Sequence, residues 1–87
     1  MSELLTALAD KLGAKIAKKY RVPAETARDM VLVHWQQKQD LLKLVAESST
    51  EKAVARTRIY KDAERDVTRK VYYELRRYQA EQSVDPM

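Results

Sequence analysis

Four arginines recur at Arg58, Arg65, Arg69 and Arg76, spaced by seven, four and seven residues. In a helix those steps return to one face. Arginines in such a row can track the phosphates of a nucleic-acid backbone. Tyr72 falls on the same face, and Tyr73 and Arg77 fall beside it. Tyrosines there can stack on bases or supply hydrogen bonds. The densest point is RKVYYELRRY, Arg69 to Tyr78. A second basic patch, Lys11, Lys15, Lys18 and Lys19, closes the first helical segment. These residues define a candidate nucleic-acid surface: Arg58, Arg65, Arg69, Tyr72, Arg76 and Arg77, with Lys15, Lys18 and Lys19. The bland alternative is a solvated helix face held by local ion pairs.

The whole-chain balance agrees in sign. Lys and Arg number 17 against 13 Asp and Glu, for a net charge of +4 and a pI near 9.4. Net charge speaks to association with anionic partners rather than to fold. Other chemistries lack their residues. Without cysteine there are no disulfides and no thiolate metal sites. His34 is the single histidine, so no zinc set forms. Beside Trp35 it reads as a packing residue with a satisfied imidazole. No glycine-rich phosphate loop is present, and a thin helical domain has little room for a substrate pocket. The expectation is a non-enzymatic protein with no cofactor and no metal.

No apolar run approaches the ~18–20 residues of a membrane span. The longest, MVLV, covers Met30–Val33. Glu3, Asp10 and several lysines interrupt the first twenty residues, which do not look like a signal peptide. A cytoplasmic location without a membrane partner is expected.

Elements must position these groups, and composition points to helices. Gly13 is the lone glycine, Pro23 and Pro86 are the two prolines, and good helix formers dominate. The fold class expected is all-α: a three-helix hairpin or bundle with a long C-terminal helix, dimerising. One domain covers residues 1–82, and 83–87 form a frayed tail. The first helix runs from Ser2, its N-cap, to Lys19, with Leu4, Leu5, Leu8, Leu12, Ile16 and Tyr20 as one apolar stripe. Gly13 either lies within it or breaks it. Pro23 opens the second helix, which extends to Glu47. Its interior QQKQD, Gln36 to Asp40, is polar all round, and a kink or loop competes there. Ser49 or Thr50 caps a third helix from Glu51 to Gln82. Along that helix Ala55, Ile59, Ala63, Val67, Val71 and Leu75 step by four, a row that drifts ~40° per step. Expected charge pairs are Arg58–Asp62, Asp66–Lys70 and Lys70–Glu74.

The stretch IAKKYRVPAETARDMV, Ile16 to Val31, resembles a helix-turn-helix motif. Ile16-Ala17, Arg21-Val22, Ala27 and Met30 fall at the matching places. The resemblance implies a second helix in the major groove, with Ala24, Glu25, Arg28, Asp29 and Leu32 towards the bases. Arg28 thus joins the candidate nucleic-acid residues. Glu25 and Asp29 flank it and would repel phosphate. The competing reading is a plain helical hairpin with Val22 and Met30 in its core.

A chain of this size buries only ~60–65% of the surface its unfolded form exposes. Long helices and a thin core therefore suggest a homodimer or larger helical assembly. Its expected interface holds Met30, Val31, Val33, Trp35, Val67, Val71 and Leu75. A helical interaction module with no nucleic-acid role is the alternative function.

Overall fold

The computed structural model describes the backbone of residues 3–83 and the side chains of residues 3–79. Five helices follow one another: α1 (Glu3–Tyr20), α2 (Ala24–Trp35), α3 (Gln39–Glu47), α4 (Glu51–Ala55) and α5 (Arg58–Ser83). The described residues contain no strand. The expected cap at Ser2 and most of the expected tail lie outside them, while Ser83 still belongs to α5.

α1 is unbroken at Gly13, and its glycine serves packing. A Cβ added there would stand 2.7 Å from the backbone nitrogen of Arg28 and 2.8 Å from its Cα. Only a residue without a side chain lets α2 come this near. Gly13 and Arg28 lie on opposite sides of the turn between α1 and α2, so the two helices fold back on each other. The stretch from Ile16 to Val31 thus forms a helical hairpin.

The turn itself is a helix C-cap. Arg21 sits at φ 56°, the left-handed region, and the Val22 amide donates back to the Ala17 carbonyl at 3.2 Å. This is the six-to-one bond of a Schellman motif, with an arginine in the place glycine usually takes. Pro23 lies just outside α2 as its N-cap rather than inside it. Val22 and Met30 are partly buried against the core.

Both longer helices expected from the sequence are broken. Gln36, Gln37 and Lys38 form a turn, and Gln39-Asp40 opens α3. Polar residues on every side give a helix no face to bury. The second break, at Arg56-Thr57, was not foreseen. Thr57 is built for it: its hydroxyl donates to the Val54 carbonyl at 2.7 Å and accepts from the Tyr60 amide at 3.1 Å. Thr50 likewise caps α4 by accepting from the Ala53 amide at 3.1 Å.

The core collects Leu5, Leu8, Leu12 and Ile16 from α1, Ala27, Val31 and Trp35 from α2, Leu41 and Val45 from α3, and Val54 from α4. α5 adds Ala63, Val67, Val71 and Leu75, as the four-residue row implies. Tyr60 is buried in place of Ile59, which is exposed. The drift of the row carries position 59 off the core, and Tyr60 fills the space.

Trp35 is the largest fully buried side chain. Its ring meets Tyr60 edge-on at 5.5 Å, and its indole N–H donates to the Ala63 carbonyl at 3.3 Å. The expected interface set is corrected by this packing. Val31, Trp35, Val67, Val71 and Leu75 lie in the chain's own core. The extra breaks shorten the helices, so α5 finds its partners in α1, α2 and α3 of the same chain. Of that set, Val33 is exposed and Met30 partly buried.

Ion pairs tie the helices at the rim. Asp66 of α5 accepts from Lys38 at 2.7 Å and Lys70 at 3.3 Å. Lys38 first, then Lys70, holds the Asp66 carboxyl below its ordinary range. A depressed folded pKa contributes stability above the unfolded carboxylate value, and that stability is lost as pH falls through the folded value. Asp66→Asn should therefore lower the melting temperature at neutral pH and match the wild type in strong acid. A deficit that persists undiminished in acid would count against the pair. Glu74 turns from the expected Lys70 to His34 of α2, at 2.5 Å from Nε2. The imidazole is thus partnered, as its position beside Trp35 suggested.

Candidate nucleic-acid interface

At ~100° per residue, positions 58, 61, 65, 69, 72, 76 and 79 of α5 fall within ~40° of one line. That line lies opposite Val67, the buried centre of the helix. The residues along it are Arg58, Lys61, Arg65, Arg69, Tyr72, Arg76 and Gln79, with no carboxylate among them. From Arg58 to Arg76 the stripe spans ~27 Å at ~1.5 Å per residue. All four arginines are exposed. Arg65, Arg69 and Arg76 pair with no carboxylate of the described residues, and Arg58 reaches Asp62 only at 4.0 Å.

The C-terminal end of α1 joins this stripe. Lys19 donates to the Tyr72 hydroxyl at 3.0 Å, and its ammonium also stands 4.8 Å from the Tyr72 ring centroid. The hydrogen bond that Lys19 donates to Tyr72 is the main cause that raises the Lys19 pKa above its ordinary value. Tyr20 packs edge-on against Tyr72 at 4.7 Å. Gln79 donates to the Tyr20 carbonyl at 2.9 Å, capping an otherwise orphan acceptor at the end of α1. Tyr72 is therefore a strut between helices rather than a free stacking surface. The tyrosine left open is Tyr73, 68% exposed and beside the stripe.

The other basic residues sort by position. Lys18 is exposed on α1 next to Lys19. Lys15 lines a cleft between α1 and α5 with Tyr60 and Glu64. Lys11 is committed to Glu51 at 2.7 Å. Arg77 lies ~120° around α5 from Arg65, off the stripe. Arg28 lies on α2, engaged in ion pairs of its own. Its guanidinium bridges Asp29 at 3.1 Å and Asp10 of α1 at 3.6 Å, and so locks the hairpin. Of the two acidic neighbours that flank it in the sequence, Asp29 is a partner.

Lys61 and Arg56 were missed by the sequence reading. Lys61 had a signal, since it precedes Arg65 and Arg69 at four-residue steps. Arg56 had none until the break at Thr57 was known. No protein-family profile, curated protein or solved structure matches the chain, so function rests on this geometry alone.

Proposed function

We propose that the protein binds nucleic acid without catalysing a reaction, mainly through phosphate contacts from α5. The observation that carries this reading is the carboxylate-free stripe on α5, continued at one end by Lys18 and Lys19 of α1. Apart from the 4.0 Å approach of Arg58 to Asp62, the charges of this stripe neither find a carboxylate among the described residues nor alternate in sign. Its exposed groups are guanidinium and ammonium, while its tyrosine is engaged with α1. Phosphate contacts fix position without reading sequence. Binding is therefore electrostatic, weakly sequence-selective and steeply salt-dependent.

The test is equilibrium binding of labelled duplex DNA, single-stranded DNA and RNA across salt concentrations. Each phosphate neutralised on a duplex contributes ~0.9 to the slope of log affinity against log salt. Changing Arg65, Arg69 and Arg76 together to Gln should make that slope shallower by about 2.7. An unchanged slope and affinity would remove the assignment.

A second reading has its own observation. Val22, Pro23, Thr26, Met30, Leu75 and Tyr78 line a cleft of about 190 Å³ between α2 and α5, and Val33 and Tyr78 are over half exposed. Such a face suits a helical interaction module or a second copy of the chain. Sedimentation over a wide concentration range would decide whether copies associate, and a constant monomer mass would leave a different protein as the partner.

A further inference from the structure

The break between α4 and α5 gathers residues that one straight helix would keep apart. Arg56, just past α4, lines the same hollow as Arg58, Lys61 and Arg65 of α5. The hollow has a volume of about 350 Å³, and Asp62 is the lone acidic residue on its walls. That carboxylate lies at 4.0 Å from Arg58, with both side chains mostly exposed. Arg56, Lys61 and Arg65 pair with no carboxylate of the described residues. Four cations against one carboxylate leave most of the local charge unmatched. Like charges gathered around one hollow repel each other, and an anion between them relieves the repulsion.

The fold fixes the backbone turn that carries these exposed cations. Thr57 ties the end of α4 to the first turn of α5 through both of its hydroxyl bonds. The hollow also stands at one end of the α5 stripe and shares Arg58, Lys61 and Arg65 with it. We propose that this α4–α5 corner anchors adjacent phosphates of the backbone and so fixes where the nucleic acid enters the stripe. The proposal rests on the nucleic-acid reading of α5. It adds Arg56 and Lys61 as contact residues.

The experiment uses the full chain and a short labelled duplex DNA between about 50 and 200 mM salt. Arg56→Gln/Lys61→Gln should make the salt slope shallower by about 1.8, at ~0.9 per lost phosphate contact. Lys43→Gln/Lys70→Gln removes the same charge from two exposed residues off the stripe and should leave the slope near the wild-type value. Circular dichroism of each variant checks that the helices persist. If the corner variant keeps the wild-type slope, or matches the control, the anchor is wrong while the stripe stands. If changing Arg65, Arg69 and Arg76 has no effect either, the nucleic-acid reading fails and the anchor falls with it. Inorganic pyrophosphate that binds the corner more tightly than the duplex would also overturn the anchor, making it a site for free phosphates.

Discussion

Trp35→Ala is expected to remove about 3–5 kcal/mol of folding stability, the largest effect of any single truncation in this chain. The indole is fully buried and connects α2 to Tyr60 and Ala63 of α5. Truncation opens a cavity in the buried seam between those helices, and the flanking helices can collapse only partly. A domain of this size holds roughly 5–15 kcal/mol in total. The variant therefore sits near the edge of folding. Denaturant unfolding should show a large fall in midpoint with little change in slope. A loss below about 1 kcal/mol, the scale of an ordinary surface change, would mean that Trp35 is not central to the core.

Gly13→Ala comes next, and its interest lies in its sign. In a helix open to solvent this change stabilises by roughly 1 kcal/mol. Here the new methyl group would meet the backbone of Arg28 at under 3 Å. A backbone cannot swing aside as a side chain can, so α1 and α2 must separate. Overpacking of this kind costs about 1–3 kcal/mol, and we expect it to outweigh the propensity gain. Ala14→Gly is the natural comparison. Ala14 is exposed one residue along, and there the glycine should be the destabilising residue. A Gly13→Ala protein more stable than wild type would show that the hairpin is looser than this packing requires.

These two residues also mark how far the sequence could be read. Apolar spacing in Leu5, Leu8, Leu12 and Ile16, and in Ala63, Val67, Val71 and Leu75, is a local property, and it identified the helices and their buried faces. The arginine row was legible for the same reason, because four-residue and seven-residue steps depend on one helix alone. Gly13 was ambiguous because its role is set by Arg28, a contact across the turn. The break at Thr57 was hidden because a threonine between two arginines fits a helix surface as well as a cap. Its tertiary cause is Tyr60, which must point inward beside Trp35. The division between chain core and dimer interface depends on which helices fold back. One missed break was enough to assign Val67, Val71 and Leu75 to a second copy.

The Lys19–Tyr72 joint has a consequence in time rather than in space. α1 and α2 meet across a three-residue connection, so little chain entropy opposes their closure. Lys19 and Tyr72 are 53 residues apart, and bringing them together closes a far longer loop. Contacts of long sequence separation are paid for before they give anything back, which slows their formation. The hairpin can thus assemble while α5 is still undocked, but the combined basic surface exists only after the last helix arrives. On the proposed nucleic-acid reading, a polyanion that spans both helices would bind the docked state alone. By mass action it would draw the chain towards that state, coupling binding to the final folding step through Tyr72.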